Sequence, residues 1–154
     1  MKERTYAAID IGSNAVRLLI KSTGRDGEAR GLKKELLVRV PLRLGFDVFA
    51  KGEVSDKKRE DLVRLMKAYR HLIRIYDVDR LRACATSAMR DARNGPDIIR
   101  EIRKETGIDI EIIAGSEEAR IVYNNHIESR DGTSGRYLYV DVGGGSTELN
   151  YLDN

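Results

Sequence analysis

Two short stretches of the sequence repeat one arrangement, in which an apolar segment is followed by an acidic residue and then by a turn of small residues. The first contains Asp10 and runs through residues 8–14, and the second contains Asp141 and runs through residues 140–148. Glycine lets the backbone come close to a phosphate, because no Cβ intervenes and φ > 0 is accessible. Successive N–H groups in such a turn form a concavity that binds anions. The pattern therefore predicts two phosphate-binding turns.

An aspartate precedes each of these turns, and the two aspartates indicate a metal ion. A carboxylate beside a phosphate is a repulsive contact unless a divalent cation or a bound water lies between the two groups. Asp10 or Asp141 alone could be explained as a turn former at the end of a strand. Because both stand in the same place relative to a small-residue turn, we expect each to act with a divalent cation such as Mg²⁺, which prefers oxygen ligands.

The composition is that of an ordinary globular chain. Its 154 residues can bury a core, and 34% of them are charged, with a net charge of +3. Basic and acidic residues are interspersed, so nucleic acid is not an expected partner. The apolar run that follows residues 2–4 contains Asp10 and is too short for a signal or membrane-spanning segment. No membrane partner is therefore expected.

The cysteine and histidine content excludes two kinds of site. Cys84 is the one cysteine and lies in an apolar segment, where we expect a buried strand and an inert core residue. One cysteine cannot form an internal disulfide, which suits a reducing, cytoplasmic location. His71 and His126 are the histidines of this sequence, too few for a metal site built from histidine and cysteine.

The order of apolar patterns predicts an α/β fold. Strands are expected at 5–11, 15–20 and 36–44, the last broken by Pro41, and these form a meander. Strands then alternate with amphipathic helices. The expected elements are a helix capped by Ser55 and reaching Tyr76, a strand at 80–86, a helix opened by Pro96 and closed by Gly107, a strand at 109–114, and a helix capped by Ser116 and ending near Glu128.

This order indicates helices packed on a mixed sheet. The polar, glycine-containing segment 130–135 predicts a linker between a domain of residues 1–129 and a fresh strand–turn–strand unit at 136–154. The second small-residue turn then lies in a hairpin, as the first does. We expect residues 136–154 to be the first hairpin of a truncated second domain, with the ligand bound between the two turns.

Four segments, 7–20, 85–94, 115–120 and 141–149, resemble in order and spacing the exopolyphosphatase/guanosine pentaphosphate phosphohydrolase family, the Ppx/GppA phosphatases. The resemblance implies an actin-like domain of the ribonuclease H-like, sugar kinase/hsp70/actin superfamily. It implies hydrolysis of terminal phosphoanhydride bonds in inorganic polyphosphate or guanosine pentaphosphate, and a homodimer in the full-length protein. The sequence departs from the family at Ala15, where serine is frequent, and at Ser116, where glutamate is frequent.

The resemblance also implies a role for each candidate residue. Glu118 would be the general base that orients and deprotonates water. A glutamate in the first turn of a helix is also common for a structural reason, because its negative charge interacts favourably with the helix dipole. Mg²⁺ or another divalent cation would be held by Asp141, Glu148 and Asp10. Phosphate would be held by Arg90 and by backbone N–H groups of the two turns, namely Gly12, Ser13, Asn14, Gly143, Gly144, Gly145 and Ser146.

Two other functions remain open on the sequence alone. One is a catalytically incomplete module that binds a phosphate-rich ligand without turnover, and the other is an ATP-dependent kinase or ATPase of the same superfamily. The sequence also leaves the choice between polyphosphate and guanosine pentaphosphate open.

Overall fold

The computed structural model describes residues 3–24, 31–127, 136–144 and 147–153. Within these ranges the chain forms a five-stranded mixed sheet, a separate two-stranded hairpin and helices that pack on the sheet. The strands are β1 (Thr5–Ile11), β2 (Val16–Thr23), β3 (Leu32–Val40), β4 (Arg80–Ala85), β5 (Glu111–Ile112), β6 (Arg136–Val142) and β7 (Thr147–Asp153). The helices are α1 (Leu44–Lys51), α2 (Asp56–Ile75), α3 (Ser87–Asp91), α4 (Gly95–Thr106) and α5 (Gly115–Ile127).

The five-stranded sheet has the order β3-β2-β1-β4-β5. The first three strands pair antiparallel as the expected meander, and β4 and β5 add parallel to β1. The carboxyl end of β1 therefore lies beside the carboxyl end of β4, where Ile11 pairs with Ala85. The segments that follow these two strands emerge at the same edge of the sheet.

Buried and exposed residues alternate along the strands, so the two faces of the sheet differ. One face carries the core residues of β1 and β2, including Ile9, Ile11 and Leu18, all at most 2% exposed. Helices α2 and α4 contribute side chains such as Met66 and Ile102 to the same core. Each such side chain, once buried, stabilises the fold by about 1.5–3 kcal/mol. The opposite face, called the polar face below, carries partly or fully exposed residues that include Asp10, Arg17 and Cys84.

Helix α1 was not expected from the sequence, which predicts that the third strand continues to Leu44. The strand ends instead at Val40, because Pro41 has no N–H for the ladder. Arg43 then adopts a left-handed conformation with φ 51°, and Leu44 begins the helix as a fully buried residue. The break at Pro41 is confirmed, and the strand assignment beyond it is wrong.

Three smaller expectations also differ from the structure. The strand expected at 109–114 forms a ladder only at Glu111–Ile112, because β5 is an edge strand that pairs with two residues of β4. Helix α5 begins at Gly115, so Ser116 lies inside its first turn and not at the cap position. Cys84 is partly exposed on the polar face of the sheet. Its neighbours in β4, Ala83 and Ala85, are the residues that face the core.

The hairpin of β6 and β7 carries an exposed apolar face. Leu138 pairs with Tyr151 and Val140 with Leu149, and all four side chains are 46–67% exposed. Val142 follows on the same face and is 73% exposed. Among the described residues, no helix is both long and apolar enough to cross a membrane.

Candidate functional site

The turn between β1 and β2 is held in a tight conformation by its own backbone. The Gly12 N–H donates to the Ala15 carbonyl at 3.1 Å, and a Cβ on Gly12 would lie 3.2 Å from that oxygen. Gly12 is not among the described glycines with positive φ. Glycine is therefore favoured here because the Ala15 carbonyl oxygen lies so close, and not because the backbone is left-handed. Since its N–H is used within the turn, the amides of Ser13 and Asn14 are left as the candidates for binding an anion.

The amino end of α1 supports this turn from outside. The Arg43 N–H donates to the Asn14 carbonyl at 2.9 Å, and the Gly45 N–H donates to the Ser13 carbonyl at 2.8 Å. A Cβ on Gly45 would lie 2.9 Å from the Ser13 Cβ, which is closer than packed carbon atoms approach. The Lys58 ammonium donates to the Arg43 carbonyl at 2.6 Å and so fixes the strained residue.

A buried hydroxyl pair joins the turn to α3. The hydroxyls of Ser13 and Ser87 lie 2.7 Å apart, and both residues are less than 8% exposed. The Thr86 N–H donates to the Ile11 carbonyl at 3.1 Å, which extends the β1–β4 pairing to the start of this helix. The carboxyl ends of β1 and β4 are therefore fastened together beside the turn.

The second small-residue turn meets the first. A Cβ on Gly144 would lie 3.3 Å from the Asn14 Cβ and 3.4 Å from the Ser13 Cβ. The backbone register of the hairpin pairs Asp141 with Glu148. Gly145 and Ser146 lie outside the described residues. The expected juxtaposition of the two turns is thus seen at Gly144, on the described side of the second turn.

A cavity of about 550 Å³ opens where the turns meet, a volume suited to a small ligand. Its wall includes both turns, the polar face of the sheet and one side of α5. The lining residues are Ala8, Ile9, Asp10, Gly12, Ser13, Asn14, Ala15, Arg17, Arg82, Cys84, Thr86, Ser87, Ile113, Glu118, Ile121, Val122, Val142, Gly143 and Gly144. Most of the expected site residues in the described part of the chain therefore share one cavity.

Glu118 lies in the first turn of α5, on the cavity wall, with 21% of its side chain exposed. Its Oε2 atom is 3.8 Å from Nη1 of Arg90. The same Nη1 donates to the Ile113 carbonyl at 2.7 Å. Arg90 is not among the described residues that line the cavity. The structure therefore places Glu118 in the first turn of a helix and on the cavity wall, with the Arg90 guanidinium 3.8 Å from its carboxylate.

The neighbouring Glu117 has a different environment. Its carboxylate accepts hydrogen bonds from Arg120 at 3.0 Å and from Arg82 at 3.4 Å. The Arg120 bond is the main cause that holds the pKa of Glu117 below its usual value, with a smaller contribution from Arg82. A carboxylate held ionised in this way is a weaker base. This environment favours a structural role for Glu117 in the first turn of α5.

Asp10 lies on the cavity floor and forms an ion pair with Arg17, with Oδ2 and Nη1 2.7 Å apart. Within the described residues, no three or more His, Cys, Asp or Glu side chains converge as a metal site. The donor chemistry still fits Mg²⁺, which in proteins is usually bound by one or two carboxylates together with substrate phosphates and water. Asp10 supplies one such carboxylate, although Arg17 now holds one of its oxygens.

Sequence reasoning missed several residues of this site. Gly45 acts through a short helix whose amphipathic pattern is too short to recognise, whereas Thr86 and Ser87 are secondary candidates from the loop that carries Arg90, and both line the cavity. Arg17 could have been found, because antiparallel pairing about the turn places it directly opposite Asp10. Cys84 lines the cavity, and burial raises the pKa of its thiol, which favours the protonated form.

Comparisons with known proteins show which proteins this chain resembles in sequence and fold. The sequence model of the Ppx/GppA phosphatase family matches residues 36–154. Exopolyphosphatase 1 of Mycobacterium tuberculosis is 30% identical over 141 residues, which are 92% of this chain and 40% of that protein. The crystal structure of the Ppx/GppA family member of Aquifex aeolicus superimposes with a TM-score of 0.84 and 32% identity, over 99% of this chain and 48% of that one.

An exopolyphosphatase structure from Cytophaga hutchinsonii superimposes with a TM-score of 0.88 and 26% identity, over 97% of this chain and 47% of that one. The chain thus spans about half the length of these solved relatives. The similarity covers the sheet, the first turn and the hairpin together.

Proposed function

The chain belongs to the Ppx/GppA phosphatase family, and from that premise we propose that it hydrolyses the terminal phosphoanhydride bond of inorganic polyphosphate. Its actin-like α/β fold class, inferred from the resemblance, is confirmed by the superpositions on family structures. The observation that carries the proposal is the meeting of the two turns at Gly144, in one cavity whose wall also includes Glu118.

In the proposed reaction, Glu118 accepts a proton from a water molecule, whose oxygen attacks the terminal phosphorus. The bond between that phosphorus and the bridging oxygen breaks with its electron pair staying on the oxygen of the shortened chain, and orthophosphate and that chain are released. Glu118 gives its proton to the leaving oxygen or to solvent. Such a transfer depends on in-line positioning and on neutralising charge on the phosphoryl oxygens. A carboxylate on the cavity wall, close to two turns that present amides, supplies the positioning.

The amides of Ser13 and Asn14 would bind one phosphate, and those of Gly143 to Ser146 would bind its neighbour. Mg²⁺ would be held by Asp10, Asp141 and Glu148 and would supply charge neutralisation for the phosphate oxygens. Binding at Asp10 requires Arg17 to give up one carboxylate oxygen, since the two now form an ion pair. Guanosine pentaphosphate is a second candidate substrate, because its terminal phosphoanhydride has the same chemistry.

We also propose the domain organisation expected from the sequence. Residues 1–129 would form the first actin-like domain, 130–135 the linker and 136–154 the first hairpin of a second domain. The exposed apolar face of the hairpin supports this division, because a two-stranded hairpin with an open apolar side is marginal alone. The full-length protein would be a cytoplasmic homodimer.

One observation favours a binding module that does not turn over. The Asp10–Arg17 ion pair occupies one oxygen of Asp10, so this carboxylate is not fully open to a metal. In such a module, phosphate would bind to the turns while Asp10 stayed paired with Arg17.

Phosphate release distinguishes the two functions. The natural full-length protein is incubated with polyphosphate or with guanosine pentaphosphate, each with Mg²⁺ and with excess chelator. Hydrolysis predicts Mg²⁺-dependent release from at least one substrate and a higher Mg²⁺ requirement in Asp141→Asn. Binding to polyphosphate without any phosphate release would instead establish the binding module.

A further inference from the structure

We propose that Arg90 is a positioning residue that holds Glu118, and that it does not contact the substrate phosphates. This inference rests on the proposed hydrolysis and assigns a role that differs from the phosphate contact expected from the sequence. It begins from the position of Arg90, whose guanidinium is 3.8 Å from the Glu118 carboxylate and which is not among the described residues that line the cavity.

The guanidinium holds two groups at once. Its Nη1 atom lies 2.7 Å from the Ile113 carbonyl and 3.8 Å from the Glu118 carboxylate. Ile113 is the second-last residue before α5, and Glu118 is in the first turn of that helix. Arg90 thus connects the backbone that leads into α5 with the carboxylate that α5 presents to the cavity.

The backbone of α3 makes this connection rigid. The Arg90 N–H donates to the Thr86 carbonyl at 3.0 Å, and the Thr86 N–H donates to the Ile11 carbonyl at 3.1 Å. The Ile113 N–H donates to the Ala85 carbonyl at 3.0 Å. The backbone of Arg90 and the carbonyl that its guanidinium binds are therefore both tied to the central strands, which holds the guanidinium in place near the Glu118 carboxylate.

The Arg90 guanidinium lies beside the start of α5. Its Nη2 atom is 4.0 Å from the position that a Cβ on Gly115 would take. Its side chain is 31% exposed. Reaching a phosphate with Nη1 would break the charge-assisted hydrogen bond from that atom to the Ile113 carbonyl.

The test compares three substitutions in the natural full-length protein. Arg90→Ala removes both contacts and should lower kcat for polyphosphate about tenfold or more, because small displacements of a catalytic group are costly. KM should change less than about twofold, since phosphate binding is intact. Arg90→Lys keeps one charge without the planar fork and should lie between Arg90→Ala and the unchanged protein.

Arg93→Ala is the matched control. Arg93 is a neighbouring arginine that pairs with Glu53 and is not among the described residues lining the cavity. Its removal should leave kcat and KM unchanged. Added guanidinium ion should restore part of the kcat of Arg90→Ala and have no effect on Arg93→Ala. Thermal unfolding of each variant separates this effect from a loss of folded protein.

A binding measurement keeps the test independent of turnover. Affinity for polyphosphate in the presence of Mg²⁺ is measured for the single variant Glu118→Gln and for the double variant that combines Glu118→Gln with Arg90→Ala. Equal affinities support positioning, whereas at least a tenfold weaker affinity in the double variant would show that Arg90 is a phosphate ligand and overturn the inference. If the unchanged protein binds polyphosphate but releases no phosphate, the proposed function fails first, and the positioning role fails with it.

Discussion

The hydroxyl oxygens of Ser13 and Ser87 lie 2.7 Å apart in the protein interior, although the two residues are 74 positions apart in the sequence. Ser13 belongs to the turn that we propose binds phosphate, and Ser87 begins the helix that carries Arg90. This bond therefore connects the phosphate-binding turn with the residues that hold the proposed base.

Replacing Ser87 with alanine should loosen this connection. The variant leaves the buried Ser13 hydroxyl without this partner and should lose about 1–2 kcal/mol of unfolding free energy. It should also lower kcat/KM for polyphosphate, because the turn and α3 are no longer fixed together. Ser22→Ala is the control, since Ser22 is equally buried and donates to Glu35 at 2.7 Å, but lies near the far end of β2. Equal losses of kcat/KM in both variants would contradict the proposed connection.

Gly45 should tolerate no side chain. A Cβ there would lie 2.7 Å from the Phe49 ring and 2.9 Å from the Ser13 Cβ, so Gly45→Ala should destabilise the protein by about 1–3 kcal/mol. The Phe49 ring can move because it is half-exposed, whereas Ser13 would be displaced with its turn. Gly31→Ala, which meets nothing within 4 Å, should be neutral in urea unfolding. A fully stable and active Gly45→Ala would show that α1 does not support the turn.

Tyr69 should make a stability contribution that depends on pH. Its buried hydroxyl donates to the Val16 carbonyl at 3.1 Å, and Tyr69→Phe should cost about 1–2 kcal/mol at neutral pH. Burial raises the pKa of Tyr69 from 10.0 to about 12. Because the raised pKa favours the protonated form in the folded state, this contribution is full below pH 10 and is lost as the pH rises towards 12.

Urea unfolding of the unchanged protein and Tyr69→Phe at several pH values measures this effect. The difference in unfolding free energy should be constant from pH 7 to pH 9 and shrink above pH 10. A difference that does not change up to pH 12 would show that the hydroxyl titrates equally in both states.

The hairpin should expose its apolar face in a preparation of residues 1–154. Its amides in β6 and β7 should exchange faster than those of β1 and β2, and an apolar fluorescent probe should bind. Replacing Leu138, Val140 and Leu149 with threonine keeps strand propensity and should reduce probe fluorescence. The same change at Leu32 and Leu37, which are exposed on β3, is the control. A monomer with a fully protected hairpin would contradict this prediction.

The strands and the long helices could be predicted from the sequence, because each is long enough to show a repeating pattern of apolar residues. The sequence could also have paired Asp10 with Arg17, which are equally far from the midpoint of Ser13 and Asn14. Helices α1 and α3 have 8 and 5 residues, too few for a helical period to be recognised, and they form because they pack on the turn and the strand ends. The contacts of Gly45, Ser87 and Arg90 therefore depend on tertiary structure that no local pattern contains.

The most direct measurement is phosphate release by two adjacent glutamate variants of the natural full-length protein. Both glutamates lie in the first turn of α5. Glu118 lines the cavity, whereas Glu117 forms ion pairs with Arg120 and Arg82. Glu118→Gln should reduce kcat for polyphosphate by about 100-fold or more with affinity within a few-fold, because only proton acceptance is lost. Glu117→Gln should retain most of the activity. Comparable phosphate release by Glu118→Gln and the unchanged protein would contradict the assignment of Glu118 as the base.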